Sequence, residues 1–130
     1  MLELKGKPVA EHVYQTILNQ TKHWDAKSWR LPHLVVVLVG KDPASHVYVK
    51  HKQAACQKLG FKSTLIELGE SISENELKSK IESLNSDKNV DAILLQLPLP
   101  QNLDAAKITN LISPQKDADG LTTQSLGELV

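Results

Sequence analysis

The sequence is poor in aromatic residues, has a single cysteine, carries no net charge and lacks a long apolar run. Each shortage excludes something. Tyr14, Trp24, Trp29, Tyr48 and Phe61 are the whole aromatic set, and Lys plus Arg balance Asp plus Glu at 15 each. There is no global field to draw nucleic acid or anionic lipid, and no aromatic platform interleaved with basic residues. No nucleic-acid partner is expected. Cys56 has no second cysteine to pair with, which excludes a disulfide-stapled secreted scaffold. Its thiol reads as a small packed hydrophobe, with a nucleophilic role as the alternative. No segment is apolar over enough residues to span a bilayer, and the first residues lack the apolar core of a signal peptide. The expectation is a cytoplasmic protein without a membrane partner. No G-x-G-x-x-G follows a strand, so the dinucleotide fingerprint is absent too.

What is there fits one globular domain. The chain has 130 residues, 41% of them hydrophobic and 23% charged, enough to bury most of its apolar surface. Leu2 and Leu4 alternate as in a brief edge strand. Residues 8–24 read as an amphipathic helix with Val9, Val13, Ile17 and Leu18 near one side. Residues 34–39, all Leu or Val, have no polar alternation, as a strand covered on both faces requires. A helix over 43–59, a strand over 61–68, a helix opened by Ser73 and Glu76 at capping-box spacing, and a third apolar strand over 90–95 follow. A short helix over 103–111, a loop over 114–120 and the start of another helix over 122–130 complete the chain. The order β-α-β-α-β implies an α/β fold: three layers, α/β/α, around a parallel sheet.

Residues 42–52, DPASHVYVKHK, hold the candidate chemistry. Asp42 can accept from the orphan amides of a helix start, and Pro43 suits the first helical position. At roughly 100° per residue, Ser45, Tyr48 and Lys52 share a wedge roughly 60° wide. Ala44, Val47, His51 and Ala55 form the neighbouring stripe, expected to face the sheet. A hydroxyl, a phenol and an amine would then project together beyond a strand's carboxyl end, where open α/β sheets bind ligands.

Two later motifs converge on the same edge. The third strand runs into Gln96-Leu97-Pro98-Leu99-Pro100. Two prolines at alternate positions cannot continue a central ladder, so the chain leaves the sheet there. Gln96 could hold an amine or a ligand heteroatom, or satisfy its own loop. Asp117-Ala118-Asp119-Gly120 pairs two acids before a glycine. An EF-hand would need further oxygen ligands and a closing Glu, so no metal is assigned. Turn capping, or recognition of a cationic or amidine-like ligand edge, are the two readings left open.

Taken together, Val39-Gly40, Asp42-Pro43-Ala44-Ser45, Tyr48-Val49, Lys52, Ala55-Cys56, Gly60, Leu84-Asn85, the QLPLP run and Pro114, Lys116-Asp117, Asp119-Gly120 resemble one family. It is the bifunctional methylenetetrahydrofolate dehydrogenase/methenyltetrahydrofolate cyclohydrolases, in their N-terminal catalytic portion. The resemblance implies oxidation of 5,10-methylenetetrahydrofolate with NADP and hydrolysis of the methenyl product to 10-formyltetrahydrofolate. It implies Lys52 as the catalytic lysine, Gln96 as the residue that holds it, and Tyr48 stacked on the folate's aminobenzoyl ring. Asp119 would bind the pterin's amino-pyrimidine end, and Ser45, Leu97 and Pro98 would line the pocket. Residues 1–120 would be the catalytic domain and 121–130 the start of a linker toward an NADP-binding Rossmann domain. A homodimer is implied as well. The sequence departs from the family pattern at His46, where Gln is expected, and at Ser125 and Glu128, where Asn and Arg are expected. Rival readings are a folate-binding module without turnover and a structural α/β domain.

Overall fold

The structure, a computed structural model, describes residues 6–24 and 27–129; the expected strand at Leu2 and Leu4 lies outside them. In chain order the elements are α1 (Gly6–Thr21), β1 (His33–Val39), α2 (Pro43–Lys58), β2 (Lys62–Leu68), α3 (Glu74–Ser86) and β3 (Ala92–Gln96). Then come α4 (Ala105–Thr109), a 3-10 turn (Pro114–Lys116) and α5 (Thr123–Gly127). The three strands form one parallel sheet in the order β2-β1-β3. Val36 sits opposite Leu65 on one side and Leu94 on the other.

The unbroken apolar run of β1 is explained by its place. It is hydrogen-bonded along both edges and covered on both faces. Val35, Val37, Val39, Ile93 and Leu95 pack with Leu77, Ile81 and Leu84 of α3, with Leu103, and with Ile108 of α4. Val36, Leu38 and Leu94 pack on the other face with Val49 of α2. The layers are helix, sheet, helix, as the strand–helix alternation implies. Each fully buried aliphatic side chain contributes about 1.5–3 kcal/mol, so these two clusters carry the fold.

The helix starts follow the capping chemistry read in the sequence. The Asp42 carboxylate accepts from the Ser45 N–H at 2.7 Å, with Pro43 at the first helical turn. Ser73 and Glu76 form a complete capping box at the head of α3. Gly60, at φ +72°, takes the left-handed turn that ends α2.

Two expectations change. The stripe Ala44-Val47-His51-Ala55 does not face the sheet. Val47 and His51 are exposed, while Ser45, Val49 and Cys56 are buried. Val49 fits between Val36, Leu38 and Leu94, whereas Val47 is 52% exposed. The buried stripe thus centres between Ser45 and Val49, with Lys52 at its margin and Tyr48 a further step out, roughly 40° on the helical wheel. In α1, Val9 and Val13 are at least half exposed and no residue is fully buried. α1 is tied to the end of α2 instead, by Glu11 with Lys58 at 2.6 Å and by Lys58 Nζ over the Tyr14 ring.

Ile81→Ala should therefore lower stability by about 2–5 kcal/mol, as cavity-forming core truncations do, whereas Val9→Ser should stay within about 0.5 kcal/mol of the parent. Urea unfolding of both variants checks the contrast; equal losses would show α1 to be as firmly packed as α3.

Candidate active site

Chain direction makes a crevice before any side chain is considered. After β1 the chain turns to α2 on one face of the sheet; after the adjacent β3 it turns to α4 on the other. Neighbouring strands whose continuations part in this way leave an opening beyond their carboxyl ends. Here it measures about 360 Å³ and is lined by Gly40, Lys41 and Asp42 after β1, Glu70 after β2, and the segment 98–101 after β3. Gly40 has φ +88°, and a side chain there would meet the Glu70 side chain at 3.0 Å. Glycine keeps that wall open. A second hollow of about 490 Å³ lies at the opposite, amino-terminal end of the sheet, against Trp24, Trp29 and Arg30. There Arg30 already grips the Asp91 carboxylate with both guanidinium nitrogens, and no other chemistry-bearing group was read from the sequence at that end.

Strand alternation sets the first contact at the crevice's flank. Gln96 pairs in register with Leu38 and shares the α2 side of β3 with Leu94. Its side chain, 8% exposed, therefore rises toward α2. Lys52 Nζ donates to Gln96 Oε1 at 3.3 Å, and Gln96 Nε2 donates to the Leu97 carbonyl at 2.7 Å. Both readings of Gln96 are realised at once: it satisfies its loop and holds the amine. The geometry also fixes the amide's orientation, because a carbonyl can only accept and an ammonium can only donate. The buried Ser45 hydroxyl donates to the same Leu97 carbonyl, at 3.5 Å. Ser45, Gln96 and Leu97 thus join the first turn of α2 to the end of β3. The Leu97–Pro98 peptide is cis, and Pro98 lines the crevice.

The third group arrives from the far edge of the sheet. Asp117 bridges to Ile93 as a short parallel extension beyond β3, and the Ala118 N–H donates to the Ile93 carbonyl at 3.2 Å. This lays residues 117–119 alongside β3 and puts Asp119 Oδ2 3.8 Å from Lys52 Nζ. The two acids of the DADG run behave differently. Asp117 caps its turn, Oδ1 accepting from Gly120 N–H at 3.0 Å and Oδ2 from Thr122 N–H at 2.9 Å. Asp119 instead faces the lysine. A half-exposed ion pair contributes only about 0–1 kcal/mol to stability, so the fold does not need Asp119 there.

Tyr48, one turn before Lys52 on α2, is 58% exposed. Lys52, Gln96 and Asp119 converge, Ser45 and Gln96 share the Leu97 carbonyl, and Pro98 lines the adjoining crevice. Cys56, the next turn on, is a buried thiol whose pKa burial pushes up, as a packed hydrophobe's would be. Among the described residues no group of three or more His, Cys, Asp or Glu is gathered as a metal site would need. Asn85 was singled out in the sequence without a role; it donates to the Leu111 carbonyl and accepts from Ser113 N–H. Sequence reasoning did not find Glu70, a single polar residue beyond a strand end, where pattern carries no signal.

Fold and site define a parallel α/β domain that presents an amine, an amide and a carboxylate at the carboxyl edge of its sheet. Residues 4–119 match the catalytic domain of tetrahydrofolate dehydrogenase/cyclohydrolase, and the chain belongs to that family. It is 42% identical over 127 residues to the bifunctional protein FolD of Cytophaga hutchinsonii, an alignment covering 98% of this chain and 44% of the relative. The 5,10-methylenetetrahydrofolate dehydrogenase of the silkworm Bombyx mori superposes with a TM-score of 0.94 at 34% identity, over 99% of this chain and 45% of that one. The methylenetetrahydrofolate dehydrogenase-cyclohydrolase of Trypanosoma brucei, solved with NADP cofactor and inhibitor, superposes with a TM-score of 0.91 at 28% identity, over 98% and 43%. The chain thus spans less than half the length of these relatives.

The Asp117 turn has a signature in acid. Burial alone would raise its pKa, but the Thr122 N–H, the Ser125 and Thr122 hydroxyls and the Leu121 N–H together draw it below the ordinary 3.8. A depressed folded-state pKa adds stability that is present above the unfolded value and lost as pH falls through the folded one. The melting temperature gap between the parent and Asp117→Asn should therefore be widest near neutrality and close below about pH 4. A gap independent of pH would contradict this.

Proposed function

We propose that this chain is the folate-side catalytic domain of an enzyme that oxidises 5,10-methylenetetrahydrofolate and hydrolyses 5,10-methenyltetrahydrofolate to 10-formyltetrahydrofolate. The observation that carries the reading is Lys52 Nζ set between Gln96 Oε1 and Asp119 Oδ2 at the carboxyl edge of the sheet. Family membership supplies the substrate class.

In this reading each group has a physical task. Two N–H donors on the pterin's amino-pyrimidine edge match the two oxygens of Asp119, a charge-assisted bidentate pair. The exposed Tyr48 ring stacks on the aminobenzoyl ring and shields Lys52 from water. Ser45, Leu97 and Pro98 wall the pocket. In the hydrolysis, water adds its oxygen to the methenyl carbon and the bond from that carbon to N5 breaks. One proton passes from the water to N5 and another leaves to solvent. Lys52 carries protons in this exchange. Gln96 orients it without a charge of its own.

The NADP of the oxidation does not fit the residues present. The turn after β1 reads Gly40-Lys41-Asp42-Pro43 and holds no G-x-G-x-x-G run to cradle a pyrophosphate. Residues 121–130 are read as the start of a linker to a cofactor domain. Family likeness alone supports the homodimer, the cytoplasmic location and a part in purine biosynthesis.

The discriminating variant is Lys52→Arg. Arginine keeps the charge and most of the stem but does not release a proton at ordinary pH. Measured in the chain joined to the segment by which its relatives are longer, methenyltetrahydrofolate hydrolysis should fall about a hundredfold or more while folate affinity stays within a few-fold. Hydrolysis near the parent rate would move the proton chemistry to another group. Asp119→Ala should weaken tetrahydrofolate binding about ten- to a hundredfold, the loss of one charge-assisted pair, with little change in melting temperature. Calorimetric titration reads the first quantity and a thermal melt the second; unchanged affinity with a lower melting temperature would reduce Asp119 to a loop brace.

A further inference from the structure

The two acids of the DADG run sit two residues apart and face different partners. Both carboxylate oxygens of Asp117 are taken by backbone N–H groups, one on Gly120 and one on Thr122. The side chain is therefore spent on the loop itself and has no acceptor directed at a ligand. Its main chain is fastened as well, bridged to Ile93 on β3, with the Ala118 N–H on the Ile93 carbonyl. Asp119 lies between these two fastenings. The loop reverses at Gly120, where φ is +67°, and beyond it Thr122 opens α5 with its hydroxyl accepting from Ser125 N–H at 3.1 Å. The next tie, Thr123 N–H to Asn110 Oδ1 at 2.7 Å, comes after the reversal. Asp119 itself is held only by its neighbours and by Lys52 at 3.8 Å, too long for a hydrogen bond.

We infer that Asp117 is a positioning residue for Asp119: by clamping Gly120 and Thr122 it sets how far the ligand-binding carboxylate stands from Lys52. This rests on the folate reading above. The chemistry of position 117 is demanding. Two backbone donors converge on one side chain, and a carboxylate offers two acceptors where an amide of the same shape offers one, its NH₂ opposing the second N–H. Asp117→Asn therefore opens one arm of the clamp without changing volume. Asp119 then loses its fixed distance to the amine, and a bidentate pair that needs defined geometry loses affinity.

The test is a double-mutant cycle in ligand affinity, on the chain joined to the segment by which its relatives are longer. Asp117→Asn, Asp119→Ala and the double variant are titrated with tetrahydrofolate and, separately, with p-aminobenzoylglutamate, which lacks the pterin. Asp117→Asn should weaken tetrahydrofolate about tenfold and leave p-aminobenzoylglutamate unchanged. In the Asp119→Ala background it should cost nothing more, because the group it positions is gone. Additive losses, or an equal loss for the pterin-free probe, would overturn the inference and make Asp117 a general brace. If Asp119→Ala alone leaves tetrahydrofolate affinity intact, the folate reading of Asp119 fails first, which separates the two. Should circular dichroism show Asp117→Asn unfolded, Gly120→Ala strains the same clamp from its other end, and the same criteria apply.

Discussion

The packing of β1 is the constraint on which the rest depends. A strand bonded along both edges and covered on both faces has no polar side chain to spare for chemistry. Val36, Val37 and Leu38 have no exposed surface at all. Function is therefore pushed to where the strands end. The chain leaves β1 toward one helical layer and β3 toward the other, and that divergence opens the crevice. The same parity that buries Leu94 against α2 brings Gln96 up to meet Lys52. The register of a hydrophobic strand thus places a polar contact two residues further on.

Much of this was legible in the sequence. The apolar runs, the capping box at Ser73, the Asp42-Pro43 helix start and the prolines that end β3 act locally, each within a few residues, and each appears where its chemistry puts it. The phase of α2 was not legible. Two stripes of this weakly amphipathic helix have nearly equal apolar content, and only the hollow between Val36, Leu38 and Leu94 decides in favour of Val49. That choice depends on residues about a third of the chain away. The exposed face of α1 was hidden for the same reason: periodicity marks an apolar side without saying what covers it.

The site was legible as a list of residues rather than as an arrangement. Lys52 could be picked out on a helix after a buried strand and Gln96 at the end of another, but their pairing came from the family resemblance alone. The division of labour between Asp117 and Asp119 was implied by the resemblance but could not be read from spacing. Spacing puts two carboxylates before a glycine, and by spacing alone either fits the cap. The bridge to Ile93 and the left-handed Gly120 settle it. One acid is turned inward to two backbone donors, and the other is left to face the amine.

That the amine, amide and carboxylate come from three separate segments has a kinetic consequence. Lys52 and Gln96 are 44 residues apart in the chain, and every strand pairing is parallel and so non-local. Contacts of such separation form only after the loops between them have been closed, which is slow relative to helix formation. The β1–α2–β2 unit can gather with Lys52 already on its helix and still have nothing for the lysine to hold. The site comes into being when β3 docks on β1 and carries both Gln96 and the 117–119 extension with it. During refolding, the appearance of ligand affinity would therefore mark the arrival of the third strand, well after helical signal has returned.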